Sequence, residues 1–173
     1  MALAAAGLAP ERLSGLILLT ATPRFAQAAD WPAAMAPATL AGFHDDLLAD
    51  PAGTLQRFLA LQVKGSEAAR ETLRQLRLEL AERPPPDPRA LAQGLDLLRE
   101  SDLRPALPNL ACPSLWLYGE RDTLVPAAVA RDIAGLLPEA RVQVIPRAAH
   151  APFLSHPAAT TAALLSFLWE LET

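Results

Sequence analysis

Two short apolar runs separated by one helix-length stretch constrain the fold of this chain more than any other feature. Ser114-Leu115-Trp116-Leu117-Tyr118 follows Pro113, and Arg141-Val142-Gln143-Val144-Ile145 precedes Pro146, so each run is bounded by turn residues and reads as a strand. Between them, Val129, Ile133, Leu136 and Leu137 recur at helical spacing within Ala127 to Leu137. Leu164, Leu165, Phe167 and Leu168 mark a closing helix over Pro157 to Leu171. Strand, helix, strand, helix implies parallel pairing through right-handed crossovers. A third run, Gly15 to Ala21, reads as another buried strand, preceded by an alanine- and leucine-rich segment that suits the end of a buried helix. Parallel sheets are covered on both faces, which accounts for strands that are apolar throughout. The expected fold class is α/β, with three parallel strands and flanking helices.

The stretch from Pro37 to Ser101 differs in kind. Leu47, Leu48, Leu55, Phe58, Leu59, Leu73, Leu76 and Leu80 keep a helical period, and no run in it resembles a strand. It reads as a helical insertion, broken at Pro84-Pro85-Pro86-Asp87-Pro88, where prolines remove amide donors and clash with helix continuation. A last helix, Arg89 to Glu100, returns the chain to the sheet. The expected organisation is therefore core over 1–36, helical cap over 37–101 and core again over 102–173.

At 173 residues, with 51% hydrophobic and 20% charged content, the chain reads as globular. Its formal charge of −4 argues against a general role in holding nucleic acid or anionic lipid. A single cysteine, Cys112, allows no internal disulfide, and histidines at 44, 150 and 156 form no cluster at metal spacing. The apolar opening lacks a basic segment and is too short to span a bilayer, so a cytoplasmic protein without metal or cofactor is expected.

Leu117-Tyr118-Gly119-Glu120-Arg121-Asp122 puts a carboxylate just beyond the carboxyl end of one parallel strand, where open α/β sheets place their sites. Twenty-eight positions later, Ala148-Ala149-His150-Ala151-Pro152 puts an imidazole beyond the next strand, with small neighbours that let the ring approach a reacting group. Taken singly, Asp122 reads equally well as a turn or helix cap, and His150 as a structural histidine. In this order, one helix apart, they match the acid and base of a Ser-Asp-His hydrolase, whose nucleophile lies upstream in a G-x-S-x-G turn. None of Ser14, Ser66, Ser101, Ser114, Ser155 and Ser166 stands in such a turn. The expectation is an ester hydrolase whose nucleophile lies outside this chain.

Asp96, Asp102 and Asp132 are weaker acid candidates, and Cys112 reads as packing. His44 and His156 read as structural or exposed. Arg70, Arg74 and Arg77 recur at intervals of four and three and share a helix face, with Arg57 on a neighbouring helical stretch. They read either as a solvated face paired with Glu67, Glu71 and Glu79, or as a docking stripe for an acidic partner.

Longer segments carry a specific resemblance: Trp31-Pro32, Leu40-Ala41-Gly42-Phe43, Gln56-Arg57-Phe58-Leu59-Ala60-Leu61-Gln62, Gly94-Leu95, Asp102-Leu103-Arg104, Leu117-Tyr118-Gly119, and Ala148 through Pro157. Together they resemble the pimeloyl-[acyl-carrier protein] methyl ester esterases of biotin synthesis, members of the α/β-hydrolase superfamily. The resemblance runs almost from end to end. It implies that the chain corresponds to the C-terminal part of that fold with a helical cap, that Asp122 is the triad acid and His150 the general base, and that Phe58 lines an acyl channel. It also implies that Arg57, Arg70 and Arg74 bind the acyl carrier protein bearing a pimeloyl methyl ester. Gly53 departs from the pattern, since an arginine is expected there. Without its nucleophile the chain alone is expected to be inactive, and with the strand at Gly15 to Ala21 unpaired on one edge, poorly soluble or oligomeric. A broad short-chain esterase, a C–C hydrolase or lactonase, and a noncatalytic carrier-binding fragment remain as alternatives.

Overall fold

Residues 1–172 are described by the structure, a computed structural model. Three parallel strands, β1 (Leu16–Leu19), β2 (Ser114–Gly119) and β3 (Arg141–Ile145), form one sheet in the order β1-β2-β3. The register pairs Leu16 with Ser114 and Leu115 with Arg141. β2 is central and buried along its whole length. Successive side chains of a strand point to opposite faces, and β2 uses both. Trp116 and Tyr118 pack with Leu3 and Ala6 of α1 (Ala2–Leu8) and with Val129 and Ile133 of α6 (Val129–Leu136). Leu115 and Leu117 pack on the other face with Ala163 and Phe167 of α8 (Pro157–Glu172), which follows the single turn of α7 (Pro152–Ser155). The cover on both faces that the apolar runs predict is thus realised at β2, whereas β3 is only partly buried, with Val144 exposed.

β1 is shorter than the Gly15 to Ala21 run, because Thr20 turns the chain with a positive φ of 46°. Its amide still donates to the Leu117 carbonyl at 2.7 Å. α8 is the longest described helix at 16 residues, and no described helix is long and apolar enough to cross a membrane.

Residues 37–100 fold into α2 (Pro37–Ala49), α3 (Pro51–Val63), α4 (Ala69–Ala81) and α5 (Pro88–Glu100). Proline opens α2, α3 and α5, where its missing N–H is not needed and its fixed φ suits the helix. Asp50 caps α3 by accepting from the Gly53 amide, and Asp87 caps α5 by accepting from the Arg89 amide. The proline run lies in the α4–α5 connection and supplies the first residue of α5, so the last helix starts one position earlier than Arg89.

A polar neck joins the two ends of this helical segment. Leu103 N–H donates to the Pro23 carbonyl at 2.8 Å, and Arg24 Nη1 meets Asp102 Oδ2 at 2.7 Å. Arg104 grips the same carboxylate through Nε (2.9 Å to Oδ1) and Nη2 (2.6 Å to Oδ2), reaches Asp30 at 3.1 Å and lies 5.3 Å from the centroid of the buried Trp31 ring. Asp102 is therefore fully engaged in joining chain segments. The Arg104 hydrogen bonds, aided by those of Arg24, hold its carboxyl well below the usual carboxylate range.

A carboxylate lowered in the folded state contributes stability above its unfolded pKa and loses it as pH falls toward the folded one. Asp102→Asn is expected to cost about 1–3 kcal/mol at neutral pH. The melting temperatures of the two proteins should converge as pH drops below the ordinary carboxylate range, and a gap that stays constant to pH 2 would contradict this account.

Candidate functional site

Because Gly119 pairs with Ile145, the loops leaving β2 and β3 start side by side. Glu120 N–H donates to the Ile145 carbonyl at 3.1 Å, and Arg121 N–H to the Ala148 carbonyl at 2.8 Å. A Cβ on residue 119 would overlap the carbonyl oxygens of Ala148 and Ala149, so only glycine lets the loops come this close. Ala148, Ala149 and Ala151 are buried against the same place. The small residues around His150 thus bring one loop down onto the other.

Asp122 sits in the first loop with its carboxylate fully buried. Oδ1 accepts from the amides of Leu124 at 2.8 Å and Val125 at 3.0 Å, and Oδ2 lies 2.8 Å from Nδ1 of His150. The carboxylate oxygen facing Nδ1 favours the tautomer with its proton there, and in the neutral ring Nε2 then keeps a lone pair. The turn-capping role and the histidine-orienting role, alternatives in the sequence, belong to two oxygens of one group. Three donors on one buried carboxylate fix the tautomer and the plane of the ring. The imidazole is 22% exposed, and Nε2 has no hydrogen bond among the described residues.

The main chain of His150 is fixed as well. Its N–H donates to the Gln62 carbonyl at 3.0 Å, and its carbonyl accepts from Thr20 Oγ1 at 3.0 Å. Thr20 is a buried β-branched residue in the left-handed region, a conformation that costs about 1–3 kcal/mol and persists only where surrounding contacts impose it. Neither tie has a signature in the sequence: Gln62 acts through its backbone, and threonine is a poor choice for positive φ. Gly119, by contrast, was visible as the glycine closing an apolar run.

Phe58 makes an edge-to-face contact with Phe43, with centroids 6.1 Å apart. With Phe43, Leu47, Leu55, Leu91 and Leu98 it lines an apolar cavity of about 250 Å³ between α2, α3 and α5. It also packs against a cluster that includes Leu124, two residues past Asp122.

Arg57 and Arg70 line one groove of about 620 Å³ with an apolar floor that includes Phe43, Leu61 and Leu73. Arg57 bonds Asp46 at 3.1 Å and Thr54 at 2.7 Å; Arg74, one turn beyond Arg70, is held by Glu71 at 2.6 Å. Of the expected α4 pairings only this last is formed: Glu67 pairs with Arg147, Gln75 donates to Glu79, and Arg77 donates to Gln56. At Gly53, the Asp50 carboxylate that caps α3 occupies the space where a side chain would begin.

His44 lies beside Asp45, and His156 contacts Ser155 at the start of α8; neither meets Asp122. Asp132 lies in α6, Asp96 pairs with Arg99 in α5, and Cys112 packs against the β2 core.

Residues 1–157 match the family described as alpha/beta hydrolase fold. Over 167 residues the chain is 48% identical to a protein of Stenotrophomonas maltophilia named pimeloyl-[acyl-carrier protein] methyl ester esterase, covering 96% of this chain and 64% of that protein. An identically named protein of Xanthomonas oryzae pv. oryzae gives 48% over 167 residues, with 96% and 66% covered. The chain thus spans just under two thirds of the length of these curated relatives. Among solved structures, an esterase from Exiguobacterium antarcticum superposes with a TM-score of 0.78 at 24% identity, covering 92% of this chain and 57% of that one. A thermophilic esterase from Thermogutta terrifontis gives 0.76 at 25%, with 99% and 61% covered. Sheet order, the paired loops at the strand ends and these matches agree: the chain belongs to the alpha/beta hydrolase fold family.

Proposed function

We propose that this chain supplies the acid and the base of a carboxylic ester hydrolase that demethylates pimeloyl-[acyl-carrier protein] methyl ester. The observation that carries the reading is the buried Asp122 carboxylate bonded to His150 Nδ1 at the ends of adjacent parallel strands. The 48% identity to esterases of that name supports the substrate.

The nucleophile in this reading is a serine in sequence outside the 173 residues. The strand before that serine pairs along the second edge of β1, which no described strand occupies. His150 Nε2 takes the seryl proton, and the alkoxide attacks the ester carbonyl. The resulting imidazolium, stabilised by Asp122, protonates the departing methoxide, and methanol leaves. Water then attacks the acyl-enzyme with His150 again as base, releasing the pimeloyl carboxylate on its carrier and restoring the serine. The chemistry asks for no metal or cofactor.

Residues 37–101 act as a cap over this site. The cavity beside Phe58 takes part of the acyl chain, and the reading is supported by its apolar lining and by the packing of Phe58 against the Leu124 cluster. Arg57, Arg70 and Arg74 receive the acidic carrier protein in the cytoplasm. Their exposure and the shared groove of Arg57 and Arg70 support this.

The in-frame genomic sequence upstream of the Met1 codon should encode G-x-S-x-G, and a stop codon close upstream would reject the reading. The 173 residues alone should show no turnover of a short-chain ester. In the complete polypeptide, Asp122→Asn or His150→Ala should lower kcat by about 10⁴-fold.

Replacing Arg57, Arg70 and Arg74 by alanine together should raise KM for the carrier-bound ester at least about tenfold, with little change for a small ester. Equal losses on both substrates would refute carrier docking at this face.

A further inference from the structure

The turn between α3 and α4 touches both loops that bear the dyad. Gln62, in the last turn of α3, has a carbonyl without an intrahelical donor, and it accepts the His150 amide at 3.0 Å. Gly65 follows with a φ of +88°, a left-handed turn that aims its carbonyl at Arg121, whose Nη1 donates at 3.0 Å. Glu67 then meets Arg147 at 2.9 Å. Arg121 adjoins Asp122, and Arg147 lies three residues before His150. The Arg147 amide is itself held by Glu120 Oε2 at 2.8 Å, a further tie between the two loops.

Each side-chain tie is weak on its own. Arg147 and Glu67 are 59% and 51% exposed, and exposed pairs contribute little to global stability. Their value lies in placement. Val63 and Ser66 are buried and anchor the inner side of the turn, while Lys64, Gly65 and Glu67 are exposed, so its outer side is held against the loops by the polar ties. Anchor and ties together present the Gln62 carbonyl to the residue whose ring must meet a reacting proton.

We propose that residues 62–67 form the positioning element for His150, with Arg121 and Arg147 as the positioning residues that hold it. The catalytic part of this inference rests on His150 being the base. A displacement of about 1 Å in such a group lowers turnover up to about 10²-fold, so a loosened turn is felt in kcat before it is felt in folding.

The test is made on the complete polypeptide that contains this chain. With Arg121→Ala and Arg147→Gln combined, hydrogen exchange of the His150 amide should accelerate about tenfold or more while amides of β2 keep their protection. Turnover of a small ester should fall about tenfold in kcat with KM unchanged. Arg147→Glu should show part of the same loss, and Glu67→Arg added to it should restore both readouts. Arg99→Gln, in α5 and away from the turn, should leave both alone.

Unchanged exchange at His150, or faster exchange with unchanged kcat, overturns the proposal. So does a general loss of protection that includes β2, which marks a purely structural role. An unmodified polypeptide without esterase activity refutes the functional reading instead, and the exchange measurement then still decides whether the turn holds His150.

Discussion

A parallel strand buried on both faces and paired along both edges has no freedom to slide or tilt, and β2 is in that position. Its Trp116 and Tyr118 fill one face and its Leu115 and Leu117 the other, so a one-residue slip would exchange the two sets and break both cores. The same register that protects the core sets Gly119 beside Ile145, and from there two short loops carry Asp122 and His150 to within 2.8 Å. The distance between acid and imidazole is inherited from strand spacing. Hydrophobic burial thus supplies the rigidity, and hydrogen bonds to one carboxylate supply the orientation.

β1 and β2 were legible because a run with no polar alternation records burial; β3, where Arg141 and Gln143 alternate with valines, was legible from the turn residues that bound it. The start of α5 was legible to within one residue, since the proline run ahead of it acts locally. Asp122 and His150 stood out because few residue types serve acid and base, and strand ends are where a parallel sheet exposes them. What the sequence did not carry was the set of contacts made by the main chain. The carbonyl of Gln62 and the amide of His150 are chemically those of any residue, so their pairing follows from the tertiary arrangement alone. Surface charges obey the same limit. Glu67 looks like a partner for the arginines of the helix that follows it, yet it meets Arg147 from a loop 80 positions away.

Asp102 shows how a polar residue can be misread when its partners are remote. By type it competes with Asp122 as an acid, but Arg24 and Arg104 converge on it, and their bonds fix its charge and position. Asp122 is held mainly by backbone amides instead, which neutralise nothing outright and leave its charge to act on the imidazole. Two buried or half-buried aspartates thus do different work because one faces guanidinium groups and the other faces peptide dipoles.

The neck that Asp102 closes has a consequence for how such a protein can diversify. Arg24 and Asp102 stand 78 positions apart, and the polymer beyond them is already tied at its base. Closing a flexible loop twice as long would cost only about 0.6 kcal/mol more. Helix α5, which lines the apolar cavity and has no buried residue, can therefore be lengthened, shortened or exchanged with little penalty at the sheet. Leu40 of α2, packed with Leu124, and the turn at residues 62–67 are constrained instead, since they reach back to the loops of Asp122 and His150. On the proposed reading, recognition can drift in this fold while the chemistry stays fixed, provided that those contacts are carried along with the sheet.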